Sequence, residues 1–348
     1  PEDVAASEAM GIPLRKEKVR RAAPDHKAIK AALELINESK RPLIVAGNGA
    51  IRKLASNQLR LLVQKTKIPV VSTFMGKGAI SDDMEYSLMT LGLGSPKEIS
   101  AVLDASDLII TVGYDVAELD PAKWNRSGKK IVHIDFTPSE VYDYYQPNVE
   151  LVADISNTLW FLNQEIKKEF VFPEVAAYRK FLTKNVFDYT NNAYPIHPKH
   201  ALLQLRKAVK DAIFVSDVGA HKMWLGSLFP ARENDRIIIS NGFASMGIAV
   251  PGAIGAKFAA PDSRVVAVTG DGGFLMNVQE LETARRFGLD FTIVLFNDNS
   301  YSLIESKFMA NKKKSVGTDI TNPDFKLLAQ SFGCNYLKPA SASELDSV

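Results

Sequence analysis

Two short apolar runs, residues 265–269 and 291–296, each end in an oxygen-rich turn. The first ends in Gly270-Asp271-Gly272-Gly273 and the second in Asn297-Asp298-Asn299, with apolar residues at helical spacing over 278–287 between them. A strand, a crossover helix and a neighbouring strand set both turns side by side at the carboxyl edge of one parallel sheet, where α/β proteins take up ligands. Asp271 and Asp298 can offer carboxylate oxygens to a hard divalent cation, and the glycines let backbone N–H groups approach a diphosphate at the next helix start. Gly, Asp and Asn also dominate ordinary turns, so GDGG alone fits a plain strand-to-helix turn better than a binding site.

The same alternation runs along the chain. Residues 29–36 read as a helix, 43–46 as a buried strand ending in Gly47-Asn48-Gly49, and 54–63 as a helix. Strands at 70–71, 108–112 and 131–134 follow, with a closing helix near 155–166. The pattern restarts with a helix over 200–209, a strand at 212–215, a helix over 221–228 and a strand at 237–239, before a small-residue segment over 241–260. The expected fold is α/β, with two domains that each hold a parallel sheet flanked by helices. The boundaries are read as a linker over 1–24, which takes in the basic stretch 15–21, a central domain over 25–167, a connector over 168–198 and a second domain over 199–348. Gly47-Asn48-Gly49 lacks the GxGxxG continuation, which argues against a dinucleotide site there. The opening PEDVAASEAM has no signal pattern and no initiator Met, and residues 334–337 lead into a helix-like ASASELDSV without a further strand. Truncation at both ends is the expectation.

Charge narrows the partners. Forty-two Lys and Arg face 40 Asp and Glu, a formal +2, which argues against an electrostatic nucleic-acid or membrane-surface binder. No apolar run is long enough for a membrane span. The single cysteine, Cys334, can form neither an internal disulfide nor a multi-thiolate metal site, and its usage fits a reducing, cytoplasmic setting. Small molecules are the expected ligands.

GDG, then 24 residues, then an Asn-led turn resembles the thiamine diphosphate motif. The surrounding segments, DVGAHKMW from Asp217, SNGFASMGIAVPGAIGAKFA from Ser240, VVAVTGDGGFLMNVQELETARRFGL from Val265 and FNDNSYSLI from Phe296, resemble the diphosphate-binding domain of the acetolactate synthase family. LIITVGYDVAELDPAKW from Leu108 and IVHIDFTPS from Ile131 resemble that family's central domain, most closely in its catabolic branch. The resemblance covers nearly the whole chain. It implies condensation of two pyruvates to 2-acetolactate and CO2, with thiamine diphosphate and Mg2+, in a homodimer or tetramer.

Carried over by motif, the resemblance places Mg2+ at Asp271, Asp298 and the carbonyl of Ser300, where many relatives have Asn in place of Asp298. Gly219, Ala220, His221, Gly270, Gly272, Gly273, Tyr301 and Leu303 then line the diphosphate and its approach, with Ser245 alongside. Met246 matches the bulky apolar residue that props the cofactor in its bent form. By periodicity alone Met246 reads as a core methionine at a helix start, and the ASMG match reverses that. His26, His133, His197 and His200 share no ligand spacing, and Lys312-Lys313-Lys314 reads as a solvated loop face.

Three departures bear on function. The family's activating Glu belongs to an N-terminal domain, so no residue here is assigned that role and the chain alone is expected to hold half a site. FAD-binding relatives carry an arginine-containing RFDDR-like segment where this chain has GYDVAE (113–118), so FAD independence is expected. Lys307 stands where the family commonly has Trp or Gln, near the acceptor substrate. It keeps open another thiamine-dependent 2-keto acid decarboxylase or carboligase. A third alternative is a chain that only binds cofactor and dimerises.

Overall fold

A computed structural model describes Ser7, residues 21–232 and residues 236–345. Most of the expected linker over 1–24, the basic stretch up to Arg20 and the last three residues of the C-terminal helix-like run lie outside these described residues. The elements form two parallel sheets.

The first sheet has the order β3-β2-β1-β4-β5-β6, built from β1 Pro42–Ala46, β2 Val70–Ser72, β3 Ser87–Thr90, β4 Leu108–Val112, β5 Lys130–Asp135 and β6 Val149–Val152. All its pairings are parallel. Every residue of β1 and β4 is buried, because helices cover both faces and a central parallel strand has no wet side. The flanking helices are α1 His26–Glu38, α2 Lys53–Thr66, α3 Ile99–Ala105 and α4 Ile155–Glu165. Asp25 starts α1 by accepting the backbone N–H groups of Lys27 and Ala28, and Asp154 starts α4 through Asn157.

The sequence reading saw only a connector over 168–198, but the structure has helix α5, Pro173–Leu182, followed by a π-turn over Thr183–Phe187. Pro173 opens that helix, and Val175, Tyr178 and Leu182 form a buried stripe that joins the first core. Strands β3 and β6 were likewise not read from the sequence. β3 has only four residues, and in β6 only Leu151 is buried.

The second sheet has the order β10-β9-β7-β8, with β7 Ile213–Ser216, β8 Ile237–Ile239, β9 Val265–Gly270 and β10 Thr292–Phe296. Its pairings are also parallel. Helix α6, Pro198–Ala208, precedes β7, and α7, Ala220–Leu228, follows it. The small-residue segment forms α8, Ala249–Ala259, whose lack of bulk lets it lie close to the sheet: a Cβ at Gly252 would come within 2.8 Å of Val215 Cγ1. α9 Asp271–Met276 and α10 Glu280–Arg286 complete the crossover to β10. Helices α11 Ser302–Ala310, α12 Phe325–Ser331 and α13 Ala342–Leu345 follow.

The two sheets meet through specific contacts. Phe74, from the loop after β2, is buried in the second core, and a Cβ at Gly226 would sit 2.7 Å from its ring. Asp82 donates its backbone N–H to the Ala231 carbonyl and accepts the Ala231 N–H through Oδ2, each at 2.7 Å. No helix of the described residues is long and apolar enough to cross a membrane.

Candidate active site at the edge of the second sheet

The carboxyl ends of β7, β9 and β10 gather most of the residues singled out by sequence. Asp271 opens α9 directly from β9 and is 2% exposed. Its Oδ1 accepts the N–H of Gly272 at 2.8 Å, and its Oδ2 accepts both the Asn299 N–H and the Asn322 side-chain amide at 2.7 Å. The two turns predicted to be neighbours are thus joined by direct hydrogen bonds.

The glycines are required by close approach. A Cβ at Gly272 would lie 2.5 Å from the Tyr301 ring, and one at Gly273 would lie 2.9 Å from the Asp217 carboxyl carbon. Gly219, at φ +155°, turns the chain from β7 into α7 and faces the His221 ring, as does Gly270.

His221 is 3% exposed and its ring lies parallel to that of Phe296, with centroids 6.3 Å apart. Burial lowers its pKa to about 4, against a smaller opposing pull from the Asp217 carboxylate. The imidazole is therefore neutral at pH 7, and its Nε2 is buried without a hydrogen-bond partner. An orphaned polar atom in such a place marks a position that a ligand can satisfy.

Other assigned residues stand apart. Asp298 is exposed, and its carboxylate folds onto its own turn, toward the Ser300 N–H and the Ser302 hydroxyl. Ser300 pairs with Asp319 as an isolated bridge, while Tyr301 N–H donates to the Thr318 carbonyl, so that a later loop lies over the turn. Ala220 begins α7, Leu303 lies half-buried on α11, and Lys307 is exposed on the same helix. Ser245 is exposed and Met246 half-buried in the segment before α8. Met246 connects to the diphosphate side through Asp217, which holds Gly247 and abuts Gly273.

The oxygen donors and the glycine cradle fit a hard cation carrying a diphosphate. Among the described residues no cluster of three or more His, Cys, Asp or Glu side chains could hold a metal. Mg2+ commonly takes only one or two carboxylates, with phosphate and water completing its shell.

Sequence reasoning missed four organising residues. Asp217, 1% exposed, accepts the N–H groups of Val218, Gly247 and Ala249 and the Thr269 hydroxyl. Its only sequence signal was its place at the end of a strand. Asn322 donates to Asp271, Asn297 and Asn299. Asn277 donates to the Gly247 carbonyl at 2.9 Å. Lys222, 7% exposed, donates to the Ser240 carbonyl and to Asn241 Oδ1, and burial lowers its pKa to about 8.

The chain is similar to known proteins over most of its length. Residues 217–348 match the family described as thiamine pyrophosphate enzyme, C-terminal TPP binding domain, and residues 29–162 match its central domain. The chain is 32% identical to the acetolactate synthase of Bacillus subtilis (strain 168) over 92% of this chain and 58% of that protein. It is 30% identical to the catabolic acetolactate synthase of Raoultella terrigena, over 99% of this chain and 64% of the relative. Against a probable acetolactate synthase large subunit of Methanococcus aeolicus the identity is 31%, over 91% and 57%. The chain therefore spans little more than half the length of these relatives.

Proposed function

Since the chain belongs to the thiamine pyrophosphate enzymes, whose central and TPP-binding domains it carries, we propose that it forms part of a FAD-independent acetolactate synthase. That enzyme condenses two pyruvates to 2-acetolactate and CO2 in the cytoplasm, as a homodimer or tetramer. The domain division is proposed as 25–167 for the central part, 168–198 for the connection and 199–348 for the diphosphate-binding part.

The observation that carries the reading is the partnerless Nε2 of buried His221 among Gly219, Gly270 and the Asp271 turn. Bound thiamine diphosphate would supply the electron sink that decarboxylation of a 2-keto acid requires. The chain's own residues would anchor and orient it. Asp271, Asp298 and the Ser300 carbonyl would hold Mg2+, with Asp271 fixed in place by Asn299 and Asn322. His221 would meet the anionic oxygens through Nε2, its ring nitrogen without a partner. The cradle of Gly270, Gly272 and Gly273 would admit the diphosphate against backbone N–H groups, beside Gly219, Ala220, Ser245, Tyr301 and Leu303. Met246 would support the bent cofactor. The activating glutamate is assigned to no residue of this chain, so turnover is expected only together with the domain that carries it.

Exposure of the Lys307 ammonium on α11 favours a second reading, in which the acceptor is another keto acid or aldehyde. The experiment that decides is product identification from pyruvate with Mg2+ and thiamine diphosphate, without FAD, in the enzyme that carries this chain. Acetolactate, converted to acetoin by acid, supports the first reading. Free aldehyde, or no turnover of pyruvate, rejects it.

A further inference from the structure

The segment that carries Met246 is fastened at its two ends and free between them. At the far end, Gly247 donates to Asp217 Oδ1 at 2.8 Å and its carbonyl accepts the Asn277 amide. At the near end, Lys222 Nζ donates to the Ser240 carbonyl at 2.9 Å and to Asn241 Oδ1 at 2.8 Å. Among the described residues, Gly242, Phe243, Ala244 and Ser245 make no hydrogen bond. Phe243 is fully exposed, and Ala244 holds φ +51°, a left-handed conformation that persists only where its surroundings impose it.

The near anchor crosses to the other domain. Asn241 Nδ2 donates to the backbone carbonyl of Glu118 at 2.6 Å. Glu118 is itself held firmly: its carboxylate is 7% exposed and accepts the N–H groups of Asn48 and Asp115 and the Thr73 hydroxyl. These donors follow β1, β4 and β2, so the carboxylate sits at the crevice where strand order reverses between β1 and β4. In an open α/β sheet that crevice is where ligands bind, and here the chain's own carboxylate occupies it.

We infer that Lys222, Asn241 and the Glu118 loop form a strap between the domains, which uses the self-filled crevice of the first sheet as the fixed point that positions Met246 beside the diphosphate site. The inference deepens the proposed function and rests on its reading of Met246 as the support of the cofactor. Lys222, Asn241 and Glu118 are positioning residues in this scheme.

The test uses the enzyme that carries this chain with Asn241→Ala and Lys222→Met, which cut the strap, and Lys222→Gln, whose amide can still donate to the Ser240 carbonyl. In cofactor-free protein, exchange of the Gly247 N–H, the hydrogen-bonded amide of the segment, should quicken about tenfold in the cut variants, with β9 unchanged and Lys222→Gln close to wild type. The dissociation constant for thiamine diphosphate with Mg2+, measured by calorimetry, should rise about tenfold in the same order. Unchanged exchange of the Gly247 N–H in Asn241→Ala overturns the strap, as does faster exchange with unaltered cofactor affinity. Asn241 is only half-buried, so its variant carries the test if Lys222→Met does not fold. A wild-type enzyme carrying this chain that binds no thiamine diphosphate would contradict the reading of Met246, while the exchange of the Gly247 N–H would still report on the strap separately.

Discussion

The backbone N–H of Gly247 donates to Asp217 Oδ1 at 2.8 Å, so the residue after Met246 is tied to the end of β7, thirty positions earlier. The same carboxylate also takes Val218, Ala249 and Thr269, and it limits the space at Gly273. Asp217 is thus the common support of the glycine turn after β9 and the Met246 segment.

Asp217→Ala should leave four donors without their acceptor at a site that is 1% exposed. A loss of roughly 3 kcal/mol is expected in urea unfolding, from buried donors left unsatisfied. Asp217→Asn keeps one oxygen acceptor and should lose less.

Gly272→Ala should be poorly tolerated because its Cβ would fall 2.5 Å from the Tyr301 ring. Thiamine diphosphate affinity should drop at least about tenfold, and Gly272→Ala combined with Tyr301→Ala should recover part of it. Calorimetric titration with Mg2+ present distinguishes the two variants.

His221 sets a pH dependence. Its pKa falls from the ordinary 6.5 to about 4 on folding, so between those values the unfolded chain binds the proton and the native chain does not. Stability therefore rises with pH across that window and is lost as pH falls from 6.5 toward 4, by about 3 kcal/mol. Urea midpoints measured at pH 7 and pH 4.5 should differ less in His221→Gln than in wild type.

Lys222 works in the same sense at higher pH. Its folded pKa of about 8 lies below the ordinary 10.5, so native protein releases its proton first and stability rises from pH 8 to 10.5. Lys222→Gln should flatten unfolding midpoints over that range.

Asp82 joins the two sheets through Ala231, and it also accepts Ser87 and the buried Lys77 ammonium. Asp82→Ala should cost about 3 kcal/mol, because it strands Lys77 as a buried charge without its carboxylate. Loss of a single cooperative transition in thermal unfolding would show that this contact couples the domains.

Much of this was legible in the sequence. The apolar-rich strands Pro42–Ala46 and Leu108–Val112, and the turns that end Val265–Gly270 and Thr292–Phe296, advertise a parallel sheet and a shared edge through local chemistry alone. Helix Pro173–Leu182 carried its own signals, a leading proline and an apolar stripe, but lay within a stretch whose prolines and asparagines read as a connector. Asn322, Asp217 and Glu118 were not legible, because each acts on partners 30 to 70 residues away. The neighbours of Asn322 and Glu118 do not distinguish them from solvated polar residues, and Asp217 has only its place at the end of a strand.

The central claim is a Mg2+-dependent diphosphate site around Asp271 and His221. Calorimetric titration of thiamine diphosphate into the enzyme that carries this chain, with Mg2+ and then with the metal chelated, tests it most directly. The account predicts binding that weakens at least about tenfold on chelation and again in His221→Ala. No binding, or binding indifferent both to Mg2+ and to His221, would contradict it.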